Sequence, residues 1–289
     1  MPTALQVRRP VFGTAGEAGS AVDAVAQGES ILRWTPAVPE LSSVANAVSL
    51  SMPYVEPYVV SSVRAVLDRL PNELAHQART YCAQESAHHA QHRRFNDALR
   101  VEVSEVRFVE RFNAAVFQFL RTRSESFNVA YAAGFETIAY AIARWFDPRI
   151  ERFFTGASEA PAKLFLWHLA EEVEHKGVAF DVHKAIGGKR RTLAAASALS
   201  LVILAVSTIM GTMIGLFRSG RWWNPLSWCR LVIWSVSFLF VGLPLLAVSL
   251  TRDHHPSDLI DPVTLPWWLS RYDVGSGLFP HWTSLDTVG

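Results

Sequence analysis

Residues 84–92, QESAHHAQH, decide how this chain is read, because they are answered by residues 170–175, AEEVEH. Each stretch holds a Glu-x-x-His pair, Glu85 with His88 and Glu172 with His175. On a helix that spacing places a carboxylate and an imidazole on one face. Two such pairs, with one further glutamate from each of two other helices, make the ligand set of a dinuclear metal site inside a four-helix bundle. Glu56 and Glu136 are the candidates for the remaining glutamates.

Counting along the chain tests that choice. Pro71 reads as the turn between a helix of about residues 53–70 and another of about 72–99. Glu56 lies about 15 residues before the turn, and Glu85 and His88 lie about 14 and 17 after it, so an antiparallel pair brings all three to one height, roughly 22 Å from the turn. The second half repeats the pattern. Glu136 precedes the Asp147-Pro148 break by about 11 residues, and Glu172 and His175 follow Pro161 by about 11 and 14, a similar axial level.

Around these motifs the chain reads as all-α. Residues 1–50 mix Gly, Ser, Ala and Pro and suggest an irregular lead-in. Residues 104–121 carry Val106, Val109, Phe112, Val116 and Phe119 at helical spacing but no ligand pattern, which suits the long crossover of a ferritin-like bundle. A third bundle helix is expected from Ser124, as N-cap, to Phe146; Glu136 is its one acidic residue between Glu125 and Asp147. Such a carboxylate is costly to bury unless something pairs it, and a metal would. The fourth is expected from residues 158–161 to Gly187-Gly188.

Past the basic run Lys189, Arg190 and Arg191, residues 193–217 and 231–250 are uncharged and each long enough to span a hydrocarbon core. They read as a two-helix hydrophobic hairpin. Its connection holds Trp222, Trp223 and Trp228, which suit a membrane interface. The competing reading is a hairpin buried in a homo-oligomer. Four regions follow: a lead-in over 1–50, a metal-binding bundle over 51–191, a transmembrane hairpin over 192–252 and a Pro- and Trp-rich tail over 253–289.

Bulk properties agree. A net charge of +1 gives no reason to expect a nucleic-acid partner, and 50% hydrophobic residues exceed the norm for soluble domains. Cys82 and Cys229 show no metal-knuckle spacing and suit a reducing compartment. Basic residues flank both ends of the first span, so charge bias only slightly favours both termini, and the bundle, on the cytoplasmic side of a bacterial inner membrane.

The stretches ANAVSLSMPYVEPYVV, AQESAHHAQHRRFNDAL, GFETIAYAIA and LWHLAEEVEHKGVAFDVHKAIGGKRR, within residues 45–191, resemble the ferritin-like proteins described as predicted metal-dependent hydrolases. The resemblance implies two metals held by Glu56, Glu85, His88, Glu136, Glu172 and His175. His92 and His168, one turn from proposed ligands on the same face, would be further ligands or their hydrogen-bond partners. The chain departs from the family at Val55-Glu56-Pro57, where a Gly usually precedes the Glu; Pro57 suits a first helical turn. Glu171 and Glu174 point about 100° off the ligand face and are expected to be solvated or salt-bridged.

Mixed Glu and His ligands suit two divalent ions, iron first, with manganese or zinc as alternatives. Three functions are open: oxygen-dependent oxidation of a lipophilic substrate drawn from the bilayer, metal-dependent hydrolysis of an ester, amide or phosphoester, or non-catalytic metal or oxygen sensing.

Overall fold

Four helices enclose the motif residues, and their order around the ring follows from which faces are apolar. The computed structural model describes residues 5–10, 12, 30–251 and 254–280. Among these the structure is helical, apart from an isolated bridge between Asp273 and Leu278. In chain order the helices are α1 (Pro39–Ser49), α2 (Met52–Arg64), α3 (Asn72–Glu102), α4 (Arg107–Leu120), α5 (Glu125–Phe146), α6 (Ile150–Phe154), α7 (Glu159–His175), α8 (Val178–Ala185), α9 (Arg190–Arg218), α10 (Pro225–Ser249) and α11 (Thr264–Leu269). Helix α2 packs on α3, α3 on α7, α7 on α5 and α5 on α2, closing a four-helix ring.

Local chemistry accounts for most boundaries. The Ser124 side chain accepts a hydrogen bond from the Phe127 N–H, capping α5, and Asp147-Pro148 ends that helix in a short 3-10 turn. Gly187 takes a positive φ of 72° after α8, a conformation in which a side chain would be strained. Helix α4 crosses between the two helical pairs as expected. Its inward face is Val109, Asn113, Phe117 and Leu120, while Phe119, expected inward, is 59% exposed.

Several boundaries differ from the sequence reading. Helix α2 ends at Arg64, because Val66 leaves helical geometry and a single 3-10 turn at Leu67–Arg69 leads to Pro71. It starts at Met52, so Pro57 lies inside the helix and not in its first turn. There the ring removes one backbone bond, which ordinarily costs about 3 kcal/mol. The fourth bundle helix is interrupted at Lys176-Gly177, directly after His175, and splits into α7 and α8.

The stretch read as an irregular lead-in contains α1. Trp34, just before it, is buried and donates from Nε1 to Asn46 Oδ1 at 3.0 Å. The apolar helices α9 and α10 lie along the ring rather than apart from it: α9 packs against α1 and α5, and α10 against α5. Small residues permit that approach. A Cβ on Gly134 would fall 2.5 Å from Ser197 Oγ, and one on Gly211 would fall 2.6 Å from the Ala47 Cβ. The tail returns to the bundle, with α11 on α7 and Trp268 buried.

Candidate metal centre

Glu56 on α2, Glu85 and His88 on α3, Glu136 on α5, and Glu172 and His175 on α7 all point into the ring, each 0–1% exposed. Two subsets are tight enough to share an ion. Glu85, His88, Glu172 and His175 bring one ligand atom apiece within 4.8 Å of one another, and Glu56, His92 and His168 do the same. The subsets adjoin, since His168 Nε2 is 2.7 Å from Glu172 Oε1 and 3.7 Å from Glu56 Oε1. Glu136 belongs to neither subset but lines the same cavity. Its Oε1 accepts from Tyr81 at 2.6 Å, and its Oε2 lies 3.0 Å from His175 Nδ1.

Among the described residues, seven buried atoms of this cluster have no hydrogen bond, both oxygens of Glu56 and of Glu85, Glu172 Oε2, His88 Nδ1 and His175 Nε2, although His175 Nε2 lies 3.1 Å from Glu85 Oε1. Buried polar atoms are rarely left so, and each unsatisfied one is costly. Those of this cluster face one another and are all carboxylate oxygens or imidazole nitrogens. That is the donor set two divalent cations need, with four carboxylates to balance their charge.

Burial of like charges governs the protonation of the metal-free cluster. Desolvation, and then the neighbouring Glu85, hold the Glu56 carboxyl well above the usual range; desolvation, then Glu136 and Glu85, do the same to Glu172. Burial alone would lower His88, but Glu171 and Glu85 outweigh it and push the imidazole up to about 10. Burial also opposes protonation of His175, which Glu136 nevertheless raises. His92 and His168 go well below the usual value, by burial and then by the neighbouring His88.

Behind the inner residues stands a set that orients them. His88 Nε2 donates to Glu171 Oε2 at 3.0 Å, leaving Nδ1 directed at Glu85, 3.6 Å away. Glu171 is salt-bridged, one of its two expected states, but fully buried, its other oxygen accepting from Arg8 Nη1 at 2.9 Å. Against the cost of its burial, His88 and Arg8 keep this carboxyl below the usual range. Arg8 also makes two 2.8 Å bonds to Glu174, so the segment before residue 10 is tied onto α7.

On the other side the chain His168, His92, Ser49, Asn96 can be read by donor accounting. Asn96 Nδ2 donates to the Ser49 carbonyl at 2.8 Å, so its Oδ1 accepts from Ser49 Oγ at 2.7 Å. His92 Nδ1 therefore donates to Ser49 Oγ at 2.8 Å, and His92 Nε2 accepts from His168 Nδ1 at 2.6 Å. The lone pair of His168 Nε2 is thereby left facing Glu172 and Glu56. Arg8, Ser49 and Asn96 carry no signal in the sequence, and Glu171 enters it only as a solvated or salt-bridged residue.

The chain matches the family described as predicted metal-dependent hydrolase over residues 22–259. It belongs to that family. The match takes in the ring, α1 and both apolar helices, so in this family's sequence pattern the hairpin accompanies the bundle. Neither the curated proteins nor the solved structures include a significant match.

Proposed function

We propose that the protein is a membrane-attached dinuclear metal enzyme that carries out oxygen-dependent oxidation of a lipophilic substrate. Glu56, Glu85, His88, Glu136, Glu172 and His175 would hold two divalent ions, iron first and manganese or zinc as alternatives, with His168 as a further donor. The observation that carries this reading is the enclosed ring of unpartnered oxygen and nitrogen atoms, set among side chains at most 1% exposed. So closed a centre suits a reactant as small and apolar as dioxygen. An ester or amide carbonyl would have to be carried bodily to the ions.

Two ferrous ions held there would supply electrons for reducing dioxygen. The chain does the rest. Glu171, clamped by Arg8, fixes the ring of His88, and His92 fixes that of His168, so the donor atoms are aimed before any ion arrives. The Tyr81 hydroxyl holds a proton against Glu136 at 2.6 Å. Trp167, packed edge-on against His88 at 4.6 Å, helps exclude water from the imidazole side. The apolar helices beside the bundle would bring acyl, alkyl or isoprenoid groups near it from a bilayer, with the bundle on the cytoplasmic side.

The family description favours a second reading, in which the same ions activate water for hydrolysis of an ester, amide or phosphoester. Assay of iron-loaded protein with a lipid extract, with and without air, separates the two. Oxidation predicts oxygen uptake and product only in air. Product formed equally without air, in manganese-, zinc- or cobalt-loaded protein, overturns it in favour of hydrolysis. Stoichiometric metal binding with no turnover overturns both and indicates a sensor.

A further inference from the structure

Helix α9 keeps small residues where it packs most closely on protein and exposes large apolar ones where it does not. Its bundle-facing side sets the small residues Ala196, Ser197, Ser200, Ser207, Gly211 and Gly215 among Leu193, Ile203, Leu204 and Leu216. The opposite side is Leu199, Val202, Val206, Ile209, Met213 and Phe217, spaced three or four residues apart and 37–67% exposed. Helix α10, which also packs on α5, exposes an apolar set of its own, Val232, Val236, Leu239, Phe240 and Leu243. In water so long an exposed apolar stripe is unfavourable. In hydrocarbon the arrangement is the ordinary one, small residues packing helix to helix and large apolar ones facing lipid.

The packing also restricts how lipid can meet this face. Asn113 of α4 donates to Ser207 Oγ at 2.9 Å, and Glu105, just ahead of α4, pairs with Arg218 at 3.2 Å. Helix α4 therefore runs antiparallel beside the C-terminal half of α9, with Arg107 and Arg111 exposed on its outer side. The contacts from Ser197 to Arg218 cover about 30 Å of helix, roughly the thickness of the hydrocarbon core. If α9 crossed a bilayer over that length, Arg107 and Arg111 would lie at hydrocarbon depth on a helix that faces no partner there.

Charge at the two ends of the face gives the same answer. Lys184, Lys189, Arg190 and Arg191 are exposed where α9 begins, and Arg218, Arg221 and Arg230 surround the turn where it ends, a net basic group even after Arg218 pairs with Glu105 and the other two share Glu40. At that turn Trp223 is 87% exposed and Trp228 37%. A crossing helix would put these two basic groups on opposite sides of the membrane. A helix lying along the surface puts both at one layer of headgroups, with indoles at the same level.

We propose that the outer face of α9 and α10 is a docking surface for an anionic lipid bilayer, and that both helices lie in the plane of one leaflet without crossing it. The proposal rests on the membrane attachment inferred above, but not on the metal chemistry. The occupant is lipid because the rim of the face is basic and tryptophan-bearing, which complements anionic headgroups.

Two experiments on the full chain test it. In sealed membrane vesicles from expressing cells, an impermeant maleimide is applied to the native Cys229, which is exposed beside the turn, and to Lys189→Cys in a Cys229→Ser background. Cys82 is buried. In-plane attachment predicts that both positions label from the same side of the membrane. Labelling from opposite sides overturns it in favour of a crossing hairpin. The second experiment is flotation with vesicles of phosphatidylcholine and phosphatidylglycerol. Wild type is expected to float, and Ile209→Glu with Phe240→Glu is expected to stay behind with its metal content unchanged. Wild type that remains as a soluble dimer without vesicles overturns lipid as the occupant and leaves the metal reading standing.

Discussion

The inside of the four-helix ring and the outside of the α9–α10 pair depart from ordinary globular proteins in opposite senses. In the ring, Glu56, Glu85, Glu136 and Glu172 sit with His88 and His175 where a core would hold Leu and Phe. On the hairpin, Ile209, Phe217 and Phe240 face outward where a surface would hold Lys and Glu. Both arrangements cost free energy in a bare chain in water. The first is offset by something small, cationic and enclosed, the second by something extended, apolar and outside. The difference shows in the neighbours: the ring residues are backed by orienting hydrogen bonds, and the outer stripe has none.

The largest expected effect tests that backing. Arg8 and Glu171 form a buried pair, and removing one partner of such a pair leaves a charge unpaired at a cost of about 3 kcal/mol or more. Arg8→Ala should therefore lower the melting temperature and weaken metal binding roughly 10- to 100-fold by freeing His88. Calorimetric titration checks this, and unchanged affinity would remove Glu171 from the site.

Next comes pH. In metal-free protein Glu56 and Glu172 are raised well above 4.5, and His88 is raised from 6.5 to about 10. The folded state then binds more protons than the unfolded one, so stability falls as pH rises, by about 1.4 kcal/mol per pH unit for each group titrating in the unfolded chain alone. Lowered His92 and His168 oppose this only up to about their ordinary value of 6.5. Chelated protein should therefore lose stability between pH 6.5 and about 10, and metal-loaded protein should lose much less. Melting curves with and without chelator read the difference.

A smaller effect probes the seam between the two regions. Gly211→Val would force side-chain atoms against Ala47, where a Cβ alone already falls at 2.6 Å, and overpacking of this kind costs about 1–3 kcal/mol. Thermal unfolding checks it. The smallest effect is outside: Ile209→Ser in detergent should change stability by about 0.5 kcal/mol or less, because Ile209 is 58% exposed among the described residues. A loss comparable to that of Gly211→Val would mean that Ile209 has a protein partner.

Much of this was legible in the sequence because its signals are local. Glu-x-x-His at helical spacing, Ser124 before an apolar run, and two long uncharged stretches each declare themselves within a turn or two. What escaped is long-range or weakly patterned. Arg8 meets Glu171 across 163 residues of chain, and no periodicity announces such a pair. Helix α1, PELSSVANAVS, buries Ser42, Ser43, Asn46 and Ser49, so its packed face does not look apolar. The break after His175, at Lys176-Gly177, has no proline or turn cluster to announce it. The hairpin's attachment to the bundle depends on glycines and serines whose meaning appears only against a partner helix.

The most direct measurement is metal content per chain in wild type beside Glu85→Ala and His175→Ala. A dinuclear centre predicts about two ions in wild type and at most one in either variant, with the helical content of all three alike. Equal metal content in the three proteins would contradict it.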